Sequence, residues 1–149
     1  MGQQQILLIV LSVILVGIAI AVGITMFRAQ ARQSNLDAII ADLNNLGAIA
    51  YQHKLRPVSM GGGGGVYDAS ALPTPGMGFE AYFDTLPYDM QVNQNGYYVI
   101  GTVTDISVEI HGWNATYLHG RTITIDENGL MSITDLTASP GEPPEPPTN

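Results

Sequence analysis

The sequence predicts an α+β fold in which one long N-terminal helix packs on a small antiparallel sheet. Three observations support this prediction. Residues 6–27 are apolar without a single charge, residues 28–56 continue at helical spacing without a proline, and residues 90–138 alternate apolar and polar residues between turn signals. Since the chain has 149 residues, the part outside the apolar block has room for one modest core.

The apolar block from Ile6 to Phe27 is long enough to cross a membrane as a helix. At a rise of about 1.5 Å per residue it spans about 33 Å, which matches the hydrocarbon core of a bilayer. It has no polar face, unlike the amphipathic helices of soluble domains. Its two hydroxyl residues, Ser12 and Thr25, are expected to bond to backbone carbonyls of the preceding turn. The block is therefore expected to lie in lipid or in a bundle of like helices.

The second half of the helix is apolar along one stripe only. The stripe is formed by residues spaced three and four apart, namely Leu36, Ile39, Ile40, Leu43, Leu46, Ile49 and Ala50. Arg28 and Arg32 mark where the fully apolar part ends. Pro57 and the glycines of 61–65 are expected to end the helix, because proline disfavours helix in the residue before it and glycine has poor helical propensity. We therefore expect one helix over residues 1–56.

Residues 57–89 are expected to form a Gly- and Pro-rich connector. We interpret the glycine run at 61–65 as a flexible segment, because the lysine and the following helix of a phosphate-binding loop are absent. A short helix is predicted around residues 77–85. The apolar anchors of the connector are expected to be Tyr67, Phe79, Tyr82 and Phe83.

Residues 90–138 predict a meander of about four antiparallel strands that forms the head of the molecule. Asn95-Gly96 is the pair that two-residue hairpin turns prefer, and Asn128-Gly129 marks another turn. The sheet is expected to lie across the amphipathic half of the helix. The segments predicted to be extended are 90–92, 97–100, 106–111, 122–125 and 130–134.

The proline-rich tail, residues 139–149, is predicted to be extended and exposed. Prolines recur through it, and such a composition favours polyproline II over helix or strand. We expect no role for the tail in the core.

The head is acidic and contains no cysteine. Thirteen residues of the chain are acidic, and all but Asp37 and Asp42 follow position 56, where Arg121 is the only lysine or arginine. Such an excess of negative charge repels nucleic acid, so no nucleic acid is expected to bind to the head. The absence of cysteine excludes disulfides, thiol catalysis and iron–sulfur clusters.

No residue pattern predicts a catalytic, metal or cofactor site. No serine, histidine and aspartate have the spacing of a nucleophile elbow and its catalytic partners. The carboxylates are scattered over strands and turns, so we expect no enzyme activity. Asn114 begins the N-glycosylation sequon Asn-Ala-Thr in a predicted loop. Trp113 and Tyr117 in the same loop fit either a contact surface or the core. The chain has three histidines, His53, His111 and His119. Since His111 and His119 flank a loop, we expect them to be a solvated or locally hydrogen-bonded pair rather than a metal site.

Together these features resemble the type IV pilins and related type IV filament subunits. The resemblance is carried by a short polar start, an apolar block beginning Ile-Leu-Leu-Ile-Val, its amphipathic continuation to about residue 55 and the C-terminal antiparallel sheet. It implies a prepilin peptidase that cuts a leader after a glycine, methylation of the new N-terminus, and a pilus assembly machinery. It also implies a subunit held in the inner membrane before it joins an extracellular filament.

The resemblance leaves two N-terminal registers open. If Gly2 ends a leader, Gln3 starts the mature chain and Leu7 is its fifth residue, so the glutamate usual at that place is missing. If Met1 is the first mature residue, Gln5 occupies the glutamate position as a neutral isostere. A buried carboxylate needs a cationic partner, whereas an amide needs only hydrogen bonds, so Gln5 would fix the register of neighbouring subunits more weakly.

We expect the apolar helix to be covered by copies of itself. About twenty exposed apolar side chains would cost of order 20 kcal/mol in water, and head-to-tail stacking that does not close covers them by forming a filament. Small residues four apart, Gly17 with Ala21 and Ala19 with Gly23, allow neighbouring helices to approach closely. The residues expected to pack in the filament core are Ile6, Leu7, Ile9, Val10, Val13, Ile14, Gly17, Ala21 and Gly23.

The expected function is therefore that of a structural subunit whose polymer serves adhesion, motility or uptake. Two alternatives stay open: a single-span membrane protein that displays an acidic binding domain, and a pseudopilin of a secretion system. Arg28 and Arg32 taken alone predict that the C-terminal side is cytoplasmic. The acidic, threonine-rich sheet favours the exterior, which is the orientation we adopt.

Overall fold

The computed structural model describes residues 2–68 and 76–145. The predictions that concern Met1, residues 69–75 of the connector and residues 146–149 of the tail fall outside these ranges. The chain divides into two compact units, which comprise residues 1–35 and residues 36–149.

The predicted α+β arrangement is confirmed: a long N-terminal helix packs on a four-stranded antiparallel sheet. Helix α1 runs unbroken through the apolar block and the amphipathic stripe. The helices are α1 (Gly2–Leu55), a single 3-10 turn (Val58–Met60), α2 (Phe79–Phe83) and α3 (Tyr88–Gln91). The strands are β1 (Tyr97–Val103), β2 (Val108–Asn114), β3 (His119–Ile125) and β4 (Met131–Leu136).

The sheet is a simple meander in the order β1-β2-β3-β4, as the turn signals predict. One face of it carries the core, because residues spaced two apart on β2 and β3 point to the same side. The buried core residues on that face are Tyr98, Val108, Ile110, Ile123 and Ile125. They pack on the predicted stripe of α1, of which Ile39, Leu43, Leu46 and Ala50 are buried in the same cluster.

Gly112 marks the closest approach between the helix and the sheet. A Cβ atom at this position would lie 2.8 Å from Cγ2 of Ile39 and 2.9 Å from Cε1 of Tyr98. Gly120 faces the other way, since a Cβ atom there would lie 2.8 Å from Cε3 of Trp113. Because Trp113 follows Gly112 on β2, its side chain lies on the face of the sheet opposite to α1. We call that face the outer face.

The glycine run at 61–65 is not the flexible segment that we predicted. Its amides cap the end of α1: Gly63 N–H donates to the carbonyl of His53 at 3.0 Å and Gly65 N–H to that of Lys54 at 2.8 Å. Gly64 N–H donates to the carbonyl of Arg56 at 3.0 Å. These bonds satisfy carbonyls that a helix end leaves without partners, which makes the run a C-terminal cap.

The cap has a steric requirement for glycine. Gly61, Gly64 and Gly65 have φ angles of 72°, 64° and 104°, which other residues rarely adopt. A Cβ atom on Gly62 would lie 2.3 Å from the carbonyl oxygen of Arg56, and one on Gly63 would lie 2.1 Å from that of Val66. The run is therefore a single folded motif in which each position is limited by conformation or by space.

The rest of the connector is more structured than expected. The predicted short helix is present as α2, and the anchors Tyr67, Phe79 and Phe83 are buried in the core. The prediction of an extended segment at 90–92 is wrong, because Tyr88–Gln91 forms α3 and only Val92 makes an isolated bridge to Tyr97.

The start of the second predicted strand is also displaced. Ile106 precedes β2 and is exposed rather than part of the buried face. The preceding turn is held instead by Thr104, whose N–H donates to the carbonyl of Ser107 at 2.8 Å and whose hydroxyl accepts a hydrogen bond from Ser107 N–H. Local hydrogen bonds of this kind end the ladder before the hydrophobic alternation does.

Candidate functional site

The first feature that points to function is the apolar surface of residues 6–27 on α1. Its large side chains are exposed to fractions between 49% at Leu11 and 72% at Phe27. Within the described residues, α1 is the one helix long and apolar enough to cross a membrane, with a mean hydropathy of 3.1 over its most apolar window. No residue of that window is buried in the chain. Exposed apolar patches of this size mark interaction sites.

The polar groups within this segment are satisfied locally. The Ser12 hydroxyl donates to the carbonyl of Ile9 at 2.8 Å, and the Thr25 hydroxyl donates to the carbonyl of Val22 at 2.8 Å. Both bonds confirm the expectation for these side chains. The segment therefore presents no unsatisfied hydroxyl to an apolar environment.

No crowding by described residues requires glycine at the two glycine positions of this segment. A Cβ atom on Gly17 or Gly23 would meet nothing within 4 Å. The helix runs through both positions without a break, so neither glycine serves a kink here. Glycine lowers helical propensity by about 1 kcal/mol relative to alanine, and no contact among the described residues requires glycine at either position.

The N-terminal residues of the register hypothesis lie in the first turns of α1. The helix begins at Gly2, with Gln3 and Gln5 exposed and with no acidic residue in its first turn. An acidic side chain is favoured there by the helix dipole, and Gln5 supplies only its dipolar amide. Both registers stay predictions.

The histidines considered as a metal pair are not brought together. His111 lies opposite Thr122 on the ladder between β2 and β3, and its Nδ1 is 2.8 Å from the Thr122 hydroxyl oxygen. His119 pairs with Asn114 at the end of the same ladder, three pairs away, and stacks on Tyr117 with ring centroids 5.6 Å apart. Within residues 2–68 and 76–145, no group of three histidine, aspartate or glutamate side chains could hold a metal.

Asn114, the residue of the sequon, is the last residue of β2 and not part of a loop as predicted, and its side chain bonds to the backbone of two turns. Its Nδ2 donates to the carbonyl of Asn95 at 2.6 Å, while its Oδ1 accepts from the amides of Thr116 and Tyr117 at 2.9 and 3.0 Å. The residue is 7% exposed. Attachment of a glycan would replace one of the two Nδ2 hydrogens, so the sugar would have to fit beside the bond to Asn95 at a largely buried side chain.

The hairpin tip after Asn114 is apolar and strained. Leu118 has a φ of 53°, in the left-handed region that a leucine rarely adopts. Its side chain is exposed, and so is that of Tyr117. Trp113, by contrast, is buried on the outer face. The tryptophan and the tyrosine therefore have different environments, although the sequence places them four residues apart.

The sequence did not indicate the contacts of Tyr97. Its hydroxyl donates to the carbonyl of Gly141 at 2.8 Å and lies 2.9 Å from the Ser139 hydroxyl. Ser139 and Gly141 are exposed and lie outside the core cluster, as predicted for the tail, but they are held to β1 by these contacts. The one indication in the sequence is the pair Tyr97-Tyr98, whose side chains must point to opposite faces of the strand.

Comparison with known proteins found no matching family model, no matching curated protein and no matching solved structure.

Proposed function

We propose that this chain is a structural subunit that polymerises through residues 6–27 of α1 into a type IV pilus-like filament. In such a filament the apolar segments pack in the centre and the sheet domains form the outer wall. The subunit is held in the inner membrane until a pilus assembly machinery, with a prepilin peptidase for the leader, delivers it to the filament. Adhesion, motility and uptake are then properties of the polymer outside the cell.

The observation that supports the proposal is the exposed apolar surface of α1 together with its two glycines. The large apolar side chains from Ile6 to Phe27 are about half exposed or more in the part of the chain that the structure describes, and burying each of them is worth about 1 to 2 kcal/mol. Gly17 and Gly23 leave room along the helix that nothing in the chain occupies. Close packing by neighbouring helices uses both properties at once.

The experiment that tests the proposal is removal of detergent from the purified full chain. We expect fibres in negative-stain images and a sedimentable fraction that contains most of the protein. A chain that stays monodisperse in lipid nanodiscs, with residues 6–27 contacted by acyl chains alone, would contradict the proposal. Mass spectrometry of the N-terminus on the same material decides between Gln3 and Met1 as the first mature residue and detects methylation.

A single-span membrane protein with an acidic binding head is the second candidate, and the hydropathy of α1 favours it equally. The two candidates differ in whether larger side chains are tolerated at Gly17 and Gly23. A lone anchor surrounded by lipid tolerates larger apolar residues at both positions, whereas packed helices do not. A pseudopilin would also polymerise, but its fibre would be short and would not be sheared from cells in quantity.

A further inference from the structure

The row of residues at the Tyr97 end of the outer face carries two buried aromatic side chains. Tyr97 pairs with Trp113, Trp113 with Gly120, and Gly120 with Leu136, so the row crosses all four strands. Tyr97 is 7% exposed and Trp113 is 5% exposed, although α1 lies on the other face. A segment other than α1 must therefore cover the row.

The start of the tail is that segment. It leaves β4 after Leu136 and reaches the Tyr97 hydroxyl on β1 by Ser139. Strands are about 4.8 Å apart, so β4 and β1 are separated by about 14 Å. Three residues reach about 10 Å, and the tyrosine side chain spans the remainder. A path this short has to cross over β3 and β2 at the level of Gly120 and Trp113.

The proline-rich composition of the tail suits packing on the aromatic rings of Tyr97 and Trp113. Pro140, which lies between the two residues that contact the Tyr97 hydroxyl, is half-buried, while Glu142 and Pro143 are exposed. Prolines with a fixed backbone pack on aromatic rings with little loss of entropy, which is how proline-rich segments are recognised elsewhere. Gly120 contributes by having no side chain, since a Cβ atom there would collide with the Trp113 ring.

We propose that Tyr97, Trp113 and Gly120 form a binding seat for a proline-rich segment, and that between neighbouring copies the seat exchanges its own tail for that of the other copy. The same contacts serve both arrangements, so exchange costs little beyond the hinge at Thr137 and Ala138. The exchange is favoured where copies are held side by side, as in the filament proposed above, because the effective concentration of the neighbouring tail is then high.

Trp113 is the only tryptophan of the chain, so its fluorescence reports the seat directly. In detergent, a chain that ends at Thr137 should emit at longer wavelength and be quenched more by acrylamide than the full chain. A synthetic peptide of residues 138–149 should reverse both changes with saturation. Circular dichroism verifies that the shortened head is folded, and a folded head that does not respond to the peptide overturns the proposal.

Substitutions separate the seat from a general apolar contact. Tyr97→Phe keeps the ring and loses the bonds to Ser139 and Gly141, so peptide affinity should fall about tenfold. In the full chain the same substitution should raise the acrylamide quenching of Trp113, which provides a readout even if the shortened chain does not fold. Tyr117→Phe is the matched control and should bind the peptide like the parent. Equal affinity for the two variants overturns the assignment of Tyr97.

Exchange is tested by mixing two chains. The first ends at Thr137 and retains Trp113, while the second has a complete tail and carries Trp113→Phe, so that it is silent. We expect the emission of the first chain to shift to shorter wavelength on mixing, and to stay unchanged when the silent partner also ends at Thr137. The complete chain is added up to concentrations at which the synthetic peptide saturates the first chain, which supplies in solution the high tail concentration that side-by-side copies would provide. No shift at these concentrations overturns exchange, and since both chains are kept unassembled in detergent, the result does not depend on whether fibres form.

Discussion

The Tyr98 hydroxyl donates a hydrogen bond of 2.6 Å to the Asp42 carboxylate, which joins strand β1 to helix α1. The same carboxylate oxygen accepts from Nδ2 of Asn93 at 2.9 Å and from Nδ2 of Asn95 at 2.8 Å. One side chain on the helix thus holds both the first strand and the turn before it. The contacts lie at the edge of the core, where hydrogen bonds to a charged acceptor are worth more than those between neutral groups.

We predict that Asp42→Asn destabilises the head by about 1 to 3 kcal/mol, because three donors lose a charged acceptor. The measurement is the free energy of unfolding in urea at pH 7. Tyr98→Phe should cost less, since it removes a single bond. The double variant should be more stable than the sum of the two losses predicts, because the residues share one network. Strict additivity would contradict a shared network.

The stability of the head should fall in acid through Asp42. Burial raises the pKa of this carboxyl, but the hydrogen bonds from Tyr98, Asn95 and Asn93 outweigh it and hold the pKa below its ordinary value of 3.8. A depressed pKa in the folded state contributes stability above pH 3.8 that is lost as pH decreases through the folded pKa. The loss should therefore lie below about pH 4, and Asp42→Asn should reduce it in acid titrations followed by circular dichroism.

A second loss of stability should occur at milder acidity and depend on His53. The imidazole is buried, stacks on Tyr82 at 4.4 Å between ring centroids, and receives no hydrogen bond at either nitrogen from the residues that the structure describes. Burial lowers its pKa below 6.5, and the charge of Arg56 adds to the effect, while the backbone of Gly61 acts in the opposite direction. Stability present above pH 6.5 should therefore be lost as pH decreases through the folded pKa.

The variant His53→Phe tests this dependence. It keeps an aromatic ring against Tyr82 and cannot be protonated, so its melting temperature should change less between pH 7.5 and pH 5 than that of the parent. His111→Asn is the control and should retain the slope due to His53. A variant at His53 with the full slope of the parent would show that other groups cause the loss.

Gly112→Ala should destabilise the head by about 1 to 3 kcal/mol, because the new methyl group would collide with Ile39 and Tyr98. The measurement is again urea unfolding of the sheet domain. Gly23→Ala is the matched control, since its methyl group would meet nothing within 4 Å. If the two substitutions had equal effects, the close approach of helix and sheet at Gly112 would be wrong.

Replacement of Gly17 or Gly23 by leucine should impair polymerisation and leave the unfolding of the head unchanged. If the wider helix weakens each contact by about 1.4 kcal/mol, the sedimentable fraction at a given concentration corresponds to about tenfold weaker association. Val16→Leu is the control, because it changes an already large side chain on the same helix. Full polymerisation of both glycine variants would favour the single-span alternative.

The parts of the fold that were predicted depend on local patterns. The stripe through Ile39 and Leu43 and the alternation on β2 repeat within a few residues, so the sequence alone indicates them. The parts that were missed depend on partners far along the chain. The Tyr98 hydroxyl bonds to Asp42, and the Tyr97 hydroxyl bonds to Ser139. No local sequence pattern predicts either contact. The glycine run was misinterpreted because composition does not reveal where backbone amides point.

The glycine cap has a mechanical consequence for a subunit loaded along its helix. Tension along α1 is shared between the packing of Ile39, Leu43 and Leu46 on the sheet and, at the end of the helix, the hydrogen bonds that the amides of 63–65 make with its last carbonyls. A flexible glycine linker would extend before it transmitted force, whereas the hydrogen-bonded cap resists extension until its bonds break. The fibre proposed for this chain would then owe part of its stiffness to residues that carry no side chain at all.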